Sequence, residues 1–160
     1  LAGHCTFCIS TGSGFDNIVG ILRTPTVFVN ILPVGYSTLF SERYILIPKH
    51  HYSLELKRRL TMSEIFSAGV GFCLKTNCFT DKKIEVVENS PEEIKQAAIE
   101  MAMRIEGSWE MNPQDILNQK KFKEIFPNNA IDPISKQKLH GEIKSNISSY
   151  FLRENPEWLN

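Results

Sequence analysis

Apolar positions in the first third of the chain come in short runs separated by turn residues. Residues 4–10 (HCTFCIS) are almost all β-formers and apolar on both faces, the pattern of an interior parallel strand. A turn at 11–14 (TGSG) leads into residues 15–23 (FDNIVGILR), where Phe15, Ile18, Val19 and Leu22 fall at helical spacing. Thr24-Pro25 stops that helix, because a proline disfavours helical backbone in the residue before it. Residues 26–30 (TVFVN) then read as a second buried strand. Strand, helix and strand joined this tightly predict a βαβ unit with parallel strands and a right-handed crossover.

Beyond it the pattern keeps alternating. Residues 31–43 form a longer loop containing Pro33 and Gly35. Residues 44–47 (YILI) predict a third short strand, closed by Pro48 and the polar stretch KHHYS. Residues 61–68 (TMSEIFSA) predict a short helix with Thr61 as N-cap and Glu64 at capping-box spacing. Gly69 and Gly71 end it, residues 70–74 read as extended, and residues 84–87 (IEVV) as another strand. The clearest local signal is NSPEEIKQAAIEMAMRIEG: Ser90 caps, Pro91 takes the first helical position, and Glu92 and Glu93 sit in the positive first turn. Ile94, Ala97, Ala98, Met101 and Ile105 share one face of that helix, and Gly107 offers its stop. A second capped helix starts at Asn112-Pro113, carries Ile116, Leu117, Phe122 and Ile125, and ends before Pro127. Residues 135–160 form a C-terminal helical tail closing on YFLRENPEWL. The alternation predicts one α/β layered domain over residues 1–160, with a mostly parallel sheet.

Composition narrows the function. The chain has 160 residues, enough for a core without staples, and 18 basic residues balance 18 acidic ones. That balance leaves no electrostatic footprint for nucleic acid. No apolar run approaches a membrane span and no leader pattern precedes the first strand, so a cytoplasmic location is expected. The sequence opens on Leu1 almost inside an apolar strand, which suggests a piece of a longer protein. His4, Cys5 and Cys8 invite a zinc or redox reading. An odd separation along a strand would send the two thiols to opposite faces, so they are read as incidental thiols, like Cys73 and Cys78, with no metal site.

The turn is the candidate for chemistry. In open parallel sheets ligands collect beyond the carboxyl ends of the strands, where the next helices begin. Gly12 and Gly14 would let the backbone approach a ligand, Ser10, Thr11 and Ser13 add hydroxyls, and the helix start adds free N–H groups. A phosphate or diphosphate suits that set. The stretch is neither G-x-G-x-x-G nor a Walker loop, and a plain tight connection is the alternative.

The ordered string S-T-G-S-G, T-P, a strand ending in Asn30, ILIPKHHY, LTMSEIFSAG, VVENSPEEIKQAAIEM and YFLRENPEWL covers nearly the whole chain. It resembles the C-terminal half of a bacterial family of putative glycosyltransferases of surface-polysaccharide clusters. The resemblance implies a GT-B architecture, in which a Rossmann-like three-layer half binds the nucleotide-sugar donor without a metal or other cofactor. It implies a donor-phosphate turn at Ser10, Thr11, Gly12, Ser13 and Gly14, with Asn30 facing the same crevice; Lys49 is read as a phosphate contact, which the family's IPK segment favours, or as a solvated loop residue. Ser10 stands where the family commonly has glycine, and Ser13 where it commonly has threonine. It also implies that the acceptor site and catalytic base lie on an N-terminal half preceding Leu1. The nucleotide sugar and that half are the expected partners, a cell-surface polysaccharide or lipid-linked molecule the acceptor, and the chain alone is expected to be inactive.

Other residues carry two readings each. His50 and His51 are candidate acid or phosphate contacts, or a solvated pair in a loop. Glu64 is a cap or a ribose contact. The basic clusters 57–59 and 120–123 are solvated faces or a peripheral contact with the inner face of an anionic membrane. Trp109 and Trp158 are read as packing residues. Two competing functions remain open: a non-catalytic α/β interaction module, with a homodimer as one form, and a nucleotide-sugar hydrolase or epimerase relying on His50 or His51.

Overall fold

The computed structural model describes residues 3–14, 16–132 and 135–160. Leu1, and Phe15 on the expected apolar face of the first helix, lie outside the described residues. Strand β1 (Cys8–Ser10) passes through the turn into helix α1 (Asp16–Ile21), and β2 (Thr26–Ile31) pairs parallel to β1 with Ser10 opposite Phe28. Helix α1 ends in a Schellman arrangement: Thr24 N–H donates to Val19 O at 2.9 Å and Arg23 N–H to Gly20 O at 3.1 Å. Arg23 takes the left-handed position, φ 55°, that glycine usually fills.

Strand β3 (Tyr44–Pro48) continues the sheet, parallel to β2 with Val27 opposite Ile45. The chain then leaves it for β4 (His50–Ser53), β5 (Arg58–Arg59), α2 (Met62–Ser67), α3 (Asn77–Thr80) and β6 (Ile84–Val87). Here β4 lies between β5 and β6 in a small antiparallel sheet. Helix α4 (Pro91–Glu106) returns to pack on β2 and β3, and α5 (Pro113–Ile125) follows. Strand β7 (Asn146–Ile147) pairs parallel along β3, giving the order β1-β2-β3-β7. Helix α6 (Ser149–Glu154) packs on α4 and α5, and a 3-10 turn over Pro156–Leu159 inserts Trp158 beside Phe122 and Phe151. Strands β2 and β3 are apolar without charge, and Val27, Phe28, Val29 and Ile45–Ile47 are buried, so the core forms on these two strands. The result is an α/β fold whose parallel sheet is flanked by helices. Among the described residues no helix is long and apolar enough to cross a membrane.

Several expectations change. Strand β1 covers three residues, not seven, and runs along the sheet edge with Ile9 47% exposed, and among the described residues nothing pairs its outer side. Cys5 therefore precedes the strand, and the opposite-face argument for Cys5 and Cys8 no longer applies. Cys73 and Cys78 are not incidental thiols but form a disulfide. Residues 70–74 form no strand, and they lead into α3. The buried face of α4 includes Glu93 and Glu100 beside Ala97 and Met101, while Ile105 is exposed. Glu100 tolerates burial because Arg104 and the Ser149 N–H, at 2.7 and 2.8 Å, both donate to it. Ile116 and Leu117 of α5 also face outward. The tail is helical in part, as α6, and it also supplies β7, which the sequence did not announce, because the edge of β3 offers unpaired N–H and C=O groups there.

Candidate functional site

The carboxyl ends of β1 and β2 open into a cavity of about 350 Å³. Thr11, Gly12 and Ser13 line it, with Asp16, Ser37 and Thr38. Gly12 sits at φ 82°, and a Cβ there would meet nothing within 4 Å, so the turn needs glycine for its backbone while its face stays open. Gly14 stands outside the lining but is equally uncrowded. Ser10 turns toward the helix start, where its hydroxyl donates to Asp16 Oδ1 in a short hydrogen bond. The main-chain N–H of Asp16 donates to Ser13 O at 3.0 Å.

These contacts set the electrostatics of the turn. The Asp16 carboxylate occupies the first turn of α1, the position from which the helix start would favour an anion. Its charge reaches neighbouring groups: burial raises the Tyr44 phenol above its ordinary range and Asp16 adds to that. The Cys8 thiol is likewise raised by burial first, then by Cys5 and Asp16. No lysine or arginine lines this cavity among the described residues. The arrangement is rich in hydroxyls, acidic and open, which suits hydrogen bonding to a polyhydroxylated group.

A second cavity, of about 530 Å³, lies on the far side of Leu32, Pro33 and Leu74, which line both spaces. Lys49 and Lys75 reach it, and Phe79, Ile84 and Val87 supply apolar wall. Lys49 is held at the carboxyl edge because its N–H donates to Ile31 O at 3.1 Å, and its ammonium pairs with Glu88 at 3.3 Å.

Asn30, the penultimate residue of β2, has φ 54°, a left-handed conformation that asparagine tolerates. Its N–H donates to Asn89 Oδ1 and its own Oδ1 accepts from the Asn89 N–H, both at 2.7 Å. Asn89 also donates to Pro48 O at 2.8 Å, so this pair ties the ends of β2 and β3 to the start of α4. Asn30 lines neither of the two cavities.

His50 and His51 do not form a solvated pair in a loop. They are strand residues of β4, 4% and 1% exposed. His50 Nε2 bonds Glu93 Oε1 at 2.9 Å and its ring stacks on Phe151. Burial pushes the Glu93 carboxyl up, but His50 and the Ser90 N–H outweigh it and hold the group down at about 2. The Lys49 carbonyl can only accept, so His51 Nδ1 carries the proton it donates there at 3.1 Å. That leaves Nε2 bare and buried without a partner. Burial, with His50 nearby, lowers the His51 pKa to about 4 although the bond to Lys49 opposes the shift. Glu64 completes the capping box with Thr61 and takes a bidentate bond from Arg58, with no role near either cavity.

Asp16 and Lys75 escaped the sequence reading. An acid in a helix first turn is ordinary macrodipole complement, so Asp16 gave no separate signal. Lys75 lies between the cysteines of a C-x4-C spacing, the one local sign that its loop is closed. No protein-family model, curated protein or solved structure matches the chain. The functional reading rests on the geometry of the carboxyl edge and the motif string it carries. Among the described residues no group of three or more His, Cys, Asp or Glu side chains is placed to hold a metal ion.

Proposed function

We propose that this chain is the nucleotide-sugar-binding half of a GT-B glycosyltransferase, acting on a cell-surface polysaccharide or lipid-linked acceptor. Donor binding proceeds without a metal, and the catalytic base belongs to an N-terminal half. The observation that carries the reading is the hydroxyl-lined cavity at the carboxyl ends of β1 and β2, walled by Thr11, Gly12 and Ser13. The ordered motif string supports it along nearly the whole chain. Cytoplasmic work, at the inner face of a membrane, follows from such an acceptor.

The test is ligand-induced stabilisation of the purified chain against UDP, GDP, dTDP and their sugar conjugates. A bound ligand at ~100 times its Kd adds about 2.7 kcal/mol to stability. For a domain of this size that raises Tm by roughly 5–10 °C. Ser13 is exposed and lines the cavity, so Ser13→Trp should fill the space and reduce the shift given by the sugar conjugates without altering the ligand-free Tm. An unchanged shift in that variant would show the cavity is not where the donor binds. A folded chain that no nucleotide stabilises would remove the reading.

One observation favours a non-catalytic interaction module. Ile21 and Phe40 are 81% and 66% exposed, and Ile18 on α1 and Leu22 just after it are exposed as well, a large amount of apolar side chain for a surface. The hydrolase reading needs a water-activating histidine, and the burial of His50 and His51 gives it no support.

A further inference from the structure

The two cavities adjoin along one stretch of surface: Leu32, Pro33 and Leu74 line both, with the Thr11–Ser13 turn at one end and the lysines at the other. Its ends differ in charge. Asp16 is the charged group lining the turn end, whereas Lys49 and Lys75 face a single carboxylate, Glu85, in the lining of the far end. Lys49 is paired with Glu88, but Glu88 is 73% exposed, so solvent competes for that pair and an incoming anion can replace it. Lys75 makes no ion pair among the described residues, and its loop is closed by the Cys73–Cys78 disulfide, which limits where the ammonium can go. Leu74 and Val87, both substantially exposed, leave apolar surface beside the two ammonium groups.

We infer that the two adjoining cavities take a nucleotide sugar with its diphosphate at Lys49 and Lys75, its base against Val87, and its sugar at the Thr11–Ser13 turn, where Asp16 accepts sugar hydroxyls. This rests on the nucleotide-sugar reading and reverses the orientation that the turn alone suggests. A diphosphate at the turn would meet the Asp16 carboxylate with no cation to offset the repulsion. A sugar there meets acceptors and small hydroxyls that match it. At the far end two lysines can each contribute a charge-assisted hydrogen bond to the diphosphate, and the flat base covers apolar side chains that water otherwise wets.

Calorimetric titration of UDP, GDP, dTDP, UDP-glucose and GDP-mannose tests the assignment. The chains compared are the wild type, Lys49→Ala, Lys75→Ala, Lys49→Arg and Asp16→Asn. Each lysine-to-alanine change should weaken the nucleoside diphosphate by about tenfold, with Lys49→Arg close to wild type. Asp16→Asn should leave the nucleoside diphosphate within about twofold and cancel the extra affinity of the nucleotide sugar over it. Circular dichroism confirms that each variant is folded. Tighter diphosphate binding in Asp16→Asn, with both alanine variants unchanged, would put the diphosphate at the turn and overturn the orientation alone. Failure of every nucleotide to bind the wild type would overturn the nucleotide-sugar reading and the orientation together.

Discussion

At the scale of single residues, the asparagines explain why two separate stretches of sequence belong together. Asn30 near the end of β2 and Asn89 before α4 each accept, through the side-chain Oδ1, the other's main-chain N–H. Each amide spares the other segment a buried, unsatisfied backbone group where the strand turns out of the sheet. Nothing in either stretch alone names the partner, so the sequence showed a strand-ending asparagine without its purpose. His51 gives a sharper consequence. Its folded pKa of about 4 lies below the ordinary 6.5, so the unfolded chain binds the proton first as pH falls. Stability is therefore intact above pH 6.5 and is lost progressively toward pH 4. Linkage predicts a loss of about 2 kcal/mol between pH 7 and pH 5, measurable by urea unfolding. His51→Leu cannot take up the proton, and its slope across that interval should be flatter than wild type by about this amount. Glu93 acts below that window, since its carboxyl, held at about 2, falls behind the unfolded value only under pH 4.5.

At the scale of elements, legibility follows the range of the forces. Helices α2, α4 and α5 all begin with a complete capping box, and each was readable because cap, partner and first turn lie within four residues. Gly107, at φ 75°, closes α4 as its position after the last helical turn required. Replacing Ser90 by Ala should cost about 1 kcal/mol in urea unfolding, since the Glu93 N–H loses its acceptor. Strand β4 was unreadable for the opposite reason. KHHYS has the polarity of a loop, and its rings are buried against Glu93, Phe151, Phe79 and the Lys49 carbonyl, the first three distant in sequence. The turn at 11–14 was legible as the connection between β1 and α1, yet the charge beside it was not, because Asp16 matters only where Ser10 and the cavity meet it.

At the scale of the whole molecule, the parallel order β1-β2-β3-β7 puts every strand end that matters on one edge, while α1 and Phe40 offer an apolar face to the side. If that face joins two copies, light scattering at high concentration gives the mass of a dimer and Ile21→Glu returns it to a monomer. A monomer at every concentration removes self-association from consideration. The last strand of the sheet has a different consequence. Strand β3 ends at Pro48, and the segment that covers its open edge is Asn146–Ile147. A ribosome adding ~5–20 residues per second needs on the order of 5–20 s to make the intervening stretch. During that interval the nascent chain carries a buried-type strand with one side unpaired, a template for pairing with a neighbouring chain. Production of this protein should therefore reward slow initiation, low temperature and chaperones that shield strand edges, more than any change to its finished core.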